Sequence, residues 1–362
     1  MSENTQPWSD PHPEIPYLPK PALKPADWLV EQDPVNPNAT PEARALLRYL
    51  YSLSGKHTLT GRHNYIGRRH FSTELAIRQS GKTPALYGSD WGFAAVGDKD
   101  TAYERDELVQ ELTRQWQGGA VVTLCWHAVR PTHDEPVTFS GNVRGQLTDA
   151  EFEDVLTPGT ALYDRWCAQV DAIAVHLLQL QEAHIPVLWR PYHEINGDWF
   201  WWGGRRGDED HGTKQLYRQI YDRLVNLHGL NNLLWVWNPD RPSRADRQFV
   251  DYFPGIEYVD VLALDCYGAF EQSYYDDLNA LSGGKVLAIG ETHTPPAIPS
   301  YDTQPKWAYF MIWASDSPGD SNWPVKHDWP ELRALVRHPR ILSLDDPMYR
   351  EGIARVQASA QE

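Results

Sequence analysis

Short apolar or β-branched runs alternate with stretches of helical periodicity along most of this chain. The runs fall at 58–61, 85–88, 120–125, 186–189, 233–237, 259–264, 286–289 and 307–312. Runs of this length, closed by polar or aromatic residues, read as buried strands. Helical spacing is clear over 103–117, 160–184, 212–228 and 329–337. Another helix starts after Thr40, which caps it, with Pro41 in its first turn and leucines at helical intervals. Eight strands with helices between them predict an α/β fold, a (β/α)8 barrel. The competing doubly wound sheet would carry a Gly-x-Gly-x-x-Gly turn after its first strand, and this chain does not.

Residues 1–40 are rich in proline and polar groups and show no periodicity, so they are expected to form an extended arm. The barrel is expected over 41–350 and a short C-terminal tail over 351–362. No internal repeat or linker divides the chain further. Two connections exceed the usual strand-to-helix loop, 130–160 after the third strand and 197–211 after the fourth. Long loops at that end of a barrel are expected to grip substrate.

Barrel strands converge at their C-terminal ends, so residues distant in sequence meet there. Those ends supply Arg62 and His63, Asp90 and Trp91, Trp126 and His127, then His193 and Glu194. The later strands supply Trp237 and Asn238, Asp265 and Tyr267, Glu291 and His293, and Trp313. The fourth end is the densest: Arg190-Pro-Tyr-His-Glu-Ile-Asn-Gly-Asp-Trp-Phe-Trp-Trp turns from apolar to polar to aromatic within a dozen residues. A core would reject Arg190, His193, Glu194 and Asn196 unless they faced a cavity. Two carboxylates across a sugar are the minimum equipment for glycosidic cleavage, and Glu291 is the partner that Glu194 requires. Apolar walls and a nearby anion both raise a carboxyl pKa, which suits Glu194, beside Trp199, Phe200, Trp201 and Trp202, to act as a protonated acid. Arg190 and Tyr267 are the expected donors to an ionised Glu291.

Composition sharpens this picture. The 33 basic residues against 49 acidic ones give a net charge of -16, which argues against nucleic acid or an anionic membrane as partner. No run approaches the length of a membrane span. Sixteen Trp and 18 Tyr exceed what a core needs, and such rings, apolar on the face and polar at the edge, suit carbohydrate. Cys125, Cys167 and Cys266 form no spaced metal motif and read as buried thiols. The first residues lack the basic and apolar regions of a signal peptide, which leaves an intracellular location and a removed leader equally open. No cofactor is expected, and a monomer is.

Ordinary structural roles compete at several positions. Trp201 and Trp202 suit a core as well as a sugar site, whereas Trp199 is the better stacking platform. Trp235 and Trp237 are expected to face opposite sides of their strand, and the Tyr274-Tyr275-Asp276-Asp277 cluster to lie on the surface. His63, His127, His193 and His293 could suggest a metal-dependent amidohydrolase. That class needs closely spaced ligands, which Arg62-His63-Asn64 does not offer. A non-catalytic carbohydrate-binding barrel would keep the tryptophans but has no use for both glutamates.

The fourth-strand stretch resembles the acid/base signature of glycoside hydrolase family 26, best known for endo-β-1,4-mannanases. Thr123-Leu-Cys-Trp-His127, the run from Tyr258 to Tyr267, Ile289-Gly-Glu-Thr292 and His338-Pro-Arg-Ile-Leu-Ser-Leu344 extend the resemblance over roughly 41–348. It implies a retaining mechanism on β-mannan, glucomannan or galactomannan, with Glu194 as acid/base and Glu291 as nucleophile. Hydrolases of mixed-linkage glucan or xylan share that frame. Trp126, His127, His193, Trp199, Asp265, Tyr267 and Trp313 would bind substrate, with Arg190, His63 and Asn238 in support and no metal. Cys125 stands where the family often has serine, and its side chain is expected to point away from the sugar.

Overall fold

A computed structural model describes residues 33–207, 211–314 and 329–361; most of the proposed arm lies outside them. Eight parallel strands close on themselves. They are β1 (Thr58–His63), β2 (Leu86–Asp90), β3 (Val121–Trp126), β4 (Val187–Pro191), β5 (Leu233–Trp237), β6 (Val261–Cys266), β7 (Val286–Thr292) and β8 (Trp307–Ile312). Each pairs with its sequence neighbour, and β8 returns to β1. The two-residue β9 (Ile341–Leu342) lies beside the base of β1, within the late segment the family resemblance included. All eight barrel strands are buried along their length, because helices cover their outer side and packed side chains fill the inside.

The helices form where local chemistry starts and stops them. In α1 (Pro41–Leu53) the Thr40 hydroxyl accepts from the Ala43 N–H at 3.3 Å, as its sequence suggested. Helix α2 (Phe71–Ser80) stops at Gly81, and α3 (Arg105–Gln117) precedes the third strand. The long third loop contains α4 (Asp149–Leu156), opened by a reciprocal Thr148–Glu151 capping box, and leads into α5 (Ala161–Glu182). The helix read at 212–228 is α6 (Gly212–Tyr221), continued as a wider π turn over Asp222–Leu227. After α7 (Gln272–Leu281) and α8 (Pro330–Arg337), the chain ends in α9 (Pro347–Ala358) and a short 3-10 turn. So the segment set aside as a tail is mostly helical: α9 packs on α1, and the Tyr349 hydroxyl reaches Ala85 O (2.9 Å) and Gly119 O (2.6 Å).

Two aromatic expectations fail here. Trp235 packs against Tyr217 and Tyr221 of α6, and Trp237 against Phe249 and Phe253, so both face outward. Residues two apart on a strand share a face, which the alternation argument overlooked. Tyr275 is buried, packed on Trp307, and its hydroxyl accepts from Lys306 N, so the cluster around it is not all surface. Trp201 and Trp202 are core residues whose indole N–H groups donate to Ala128 O and His193 O, both at 2.9 Å. The three cysteines are buried and free. Among the described residues no helix is long and apolar enough to cross a membrane.

Candidate active site

Glu194 lies just past β4, where the backbone turns sharply. Tyr192 and Glu194 adopt left-handed conformations, with φ of 54° and 52°. Non-glycine residues avoid this region, at a cost of about 1–3 kcal/mol each, and concentrate there at functional sites. The turn is pinned from the fifth strand: Glu194 N–H donates to Asn238 O at 2.7 Å. Asn196, fully buried, donates to Asp240 O and Arg247 O and accepts from Asp240 N–H. Gly197 then allows Trp199 to fold back, since a Cβ there would lie 2.4 Å from its ring. The Trp199 indole N–H donates to Glu194 Oε2, while Arg247 covers one face of the ring at 4.8 Å.

Glu291 arrives through an irregularity in the sheet. Leu264 pairs with Ile289 but Asp265 pairs with Glu291, so Gly290 is an extra residue on β7. A Cβ on Gly290 would lie 2.0 Å from Asn238 Oδ1, and only glycine fits. The bulge sets Glu291 opposite Asp265. Arg190 donates at 2.6 Å to both Gly290 O and Glu291 Oε1, and Tyr267 Oη donates to Glu291 Oε2 at 2.7 Å. One oxygen each from Glu194, Asp265 and Glu291 lie within 4.8 Å of one another.

Electrostatics separates the two glutamates. Burial, then the charges of Glu291 and Asp240, push the Glu194 carboxyl well above the usual range. Glu291 instead accepts hydrogen bonds from Arg190 and Tyr267. Burial, with Glu291 and then Glu194 nearby, also raises Asp265, against the pull of Arg190. Asp240 is pushed up to about 7, chiefly by burial. Burial, together with the charges of His127 and Arg190, holds His193 well below an ordinary imidazole, hence neutral. Burial also acts to lower His127, but Asp90, which accepts from its backbone N–H (2.9 Å) and contacts its Nδ1 (3.0 Å), raises it overall.

These groups border a cleft of about 380 Å³. His127, His193, Glu194, Tyr267, Glu291 and Trp313 line it, together with Tyr65, Phe93, Lys99, Asp100, Phe139 and Phe200. The apolar walls and convergent polar groups fit an amphipathic ligand such as a sugar. Within the fold, the carboxylate separation decides the chemistry. Retaining glycosidases hold their carboxyl groups about 5–5.5 Å apart and inverting ones about 6.5–9.5 Å. One oxygen of Glu194 and one of Glu291 approach within 4.8 Å, in keeping with the narrower, retaining spacing.

A family model for glycosyl hydrolase family 26 matches residues 35–346. The chain belongs to glycosyl hydrolase family 26. A mannan endo-1,4-β-mannosidase from Thermothelomyces thermophilus is 33% identical over 327 residues, covering 86% of this chain and 62% of that protein. Another, from Bacillus subtilis, is 32% identical and covers 77% of this chain and 81% of that one. The chain therefore spans somewhat less than two thirds of the first relative's length. The solved structure of GH26A from a Muricauda species superposes with a TM-score of 0.77 at 41% identity, covering 86% of this chain and 98% of that one.

The family 26 site differs from the sequence reading in several placements. Trp126 points outward, into a separate pocket with Arg105, Val129 and Ala168, and does not reach the cleft. Its neighbour Cys125 points inward: its thiol donates to Asp90 Oδ2 at 3.2 Å and lies within 4.8 Å of His193 and Glu291. The reason is strand alternation, which turns Cys125 and Trp126 to opposite faces. Trp199 sits on Glu194 and is not among the residues lining the cleft. Arg190, Asp265, Asn238 and His63 are buried behind the cleft wall, and the His63 ring stacks on Trp313 at 3.7 Å. Phe93, Lys99 and Asp100 come from the loop after β2, and Phe139 from the long third loop. No charge or spacing in the sequence marked these four. Asp90, at the end of β2, was visible as a strand-end carboxylate but had no assigned partner.

Proposed function

We propose that this chain cleaves β-1,4-mannosidic bonds in mannan, glucomannan or galactomannan by a retaining double displacement. The observation that carries the mechanism is the close approach of Glu194 and Glu291 across the cleft, with Glu291 held by Arg190 and Tyr267. In the first step Glu291 attacks the anomeric carbon while protonated Glu194 gives its proton to the departing glycosidic oxygen. A covalent glycosyl ester on Glu291 results. Esterification removes the Glu291 charge, one of the influences that raise Glu194. Glu194, now ionised, takes a proton from water as the water attacks the anomeric carbon and displaces the Glu291 carboxylate, and the product leaves with its original anomeric configuration.

The surrounding groups have consistent parts to play. Tyr267 and Arg190 orient the nucleophile and must release part of their hold as its negative charge disperses into the ester. Neutral His193 can donate or accept toward a sugar hydroxyl, and His127, anchored by Asp90, lines the same cleft. Trp313, backed by His63, offers a ring face for stacking.

The choice of mannan draws support from the relatives named above. A further solved relative, a β-mannanase from a protist symbiont of the termite Reticulitermes speratus, is 26% identical with a TM-score of 0.73 and was captured with a gluco-manno-oligosaccharide. The test is a reducing-sugar assay on glucomannan, galactomannan, mixed-linkage glucan and xylan. Release from the two mannans is expected; release from mixed-linkage glucan without release from mannans would overturn the substrate assignment.

A further inference from the structure

Beneath the cleft the buried thiol of Cys125 faces the two groups on which the chemistry turns. Cys125 Sγ, one ring nitrogen of His193 and one oxygen of Glu291 lie within 4.8 Å of one another. His193 is 2% exposed; its Nδ1 has no hydrogen-bond partner among the described residues, and its Nε2 stops 3.9 Å from Glu291 Oε1. A tetrahedral zinc, with bonds of about 2.0–2.3 Å, spaces such ligand atoms roughly 3.4–3.6 Å apart. The three atoms are therefore at most ~1.4 Å wider apart than zinc ligands, and two of the residues, His193 and Glu291, line the cleft.

We propose that Cys125, His193 and Glu291 form an inhibitory site for a thiophilic divalent cation of the zinc type. This goes beyond the hydrolytic reading, because it concerns a ligand that stops the reaction. Local charge permits it. Carboxylates of Glu194, Asp265 and Glu291 gather here, and the Arg190 guanidinium faces two of them, Asp265 and Glu291. Arg190 also has somewhere to go: Nη2 lies 3.7 Å from Oδ2 of the buried Asp265. A cation that takes Glu291 from Arg190 therefore leaves the guanidinium with a buried carboxylate it can bind. As the sulfur–metal bond forms, Cys125 gives up its S–H proton to solvent, so each cation bound releases one proton.

Ligand softness distinguishes this site from its neighbours. Glu194, Asp265 and Glu291 form an all-oxygen set, which suits calcium, magnesium or manganese. Asp90, Cys125 and His127 form another set, but there Asp90 already accepts from both partners. The Cys125–His193–Glu291 set joins the thiol to a histidine whose Nδ1 has no hydrogen-bond partner among the described residues, and to the nucleophile. Occupation would take the nucleophile out of the reaction, so inhibition should lower kcat for the polysaccharide.

The experiment titrates the whole protein with Zn2+ by calorimetry, and with Cd2+ while following thiolate-to-metal charge-transfer absorption in the ultraviolet. Neither readout needs substrate, so both stand even if the mannan assignment fails. One Zn2+ per chain and a thiolate band are expected in the parent. Cys125→Ser, which keeps a donor for Asp90, should lose the band and weaken Zn2+ binding roughly a hundredfold or more. Loss of a direct ligand should exceed the ~10–100-fold cost of losing an outer partner. A Cys167→Ser, Cys266→Ser double variant should keep the band, which tests the assignment even if Cys125→Ser does not fold. Absence of the band in the parent, its loss in the double variant, or undiminished Zn2+ binding by Cys125→Ser would each overturn the proposal.

Discussion

Replacing Trp199 by Phe removes one hydrogen bond from the proposed acid and little else. The indole N–H donates to Glu194 Oε2 and favours the ionised carboxylate, against burial and the charges of Glu291 and Asp240. Without that donor the protonated form persists to higher pH. A hydrogen bond to a charged group contributes about 1.5–3 kcal/mol, which at ~1.36 kcal/mol per pK unit is a rise of about 1–2 units. The alkaline limb of kcat/KM reports loss of the essential acid in the free enzyme. It should therefore move upward by that amount in Trp199→Phe, measured on a soluble mannooligosaccharide across a broad pH range. Because Glu194 must later be ionised to act as base, kcat should fall most on the acid side. An alkaline limb that stays in place, or moves down, would refute the assignment of Glu194 as the acid and of Trp199 as its donor.

Three other outcomes follow from the same geometry. Glu291→Gln should raise the barrier by at least ~7 kcal/mol, about five orders of magnitude in kcat, with the fold intact by circular dichroism; near-parental turnover would remove Glu291 from the mechanism. Gly290→Ala places a Cβ 2.0 Å from Asn238 Oδ1, next to the carbonyl that fixes Glu194; denaturant unfolding should show a loss of about 1–3 kcal/mol, and kcat/KM should fall with it. Trp235→Ala should cost about 3–5 kcal/mol in the same assay while KM of the folded protein stays unchanged, because the ring packs on α6 away from the cleft.

The barrel was legible because its strands are buried on both faces and so read as near-continuous apolar runs. Strand-end logic placed Glu194 and Glu291 together without knowledge of the loops between them. Side-chain direction was less legible where it turned on a single residue. Cys125 and Trp126 exchange faces if the strand phase is shifted by one, and the apolar run itself does not set that phase. The bulge at Gly290 was likewise hidden, since its cause is the approach of Asn238 from a strand more than fifty residues earlier. Phe93, Asp100 and Phe139 reach the cleft through loops whose paths are set by tertiary contacts, such as Phe93 O accepting from Val137 N–H at 2.8 Å. Periodicity carries no information about such paths.

The close spacing of Glu194 and Glu291 makes one measurement decisive for the double displacement. Proton NMR of the first products formed from a mannooligosaccharide by the parent enzyme should show the β anomer ahead of mutarotation, with the α anomer appearing later. First appearance of the α anomer would mean direct attack by water, and would contradict a covalent role for Glu291.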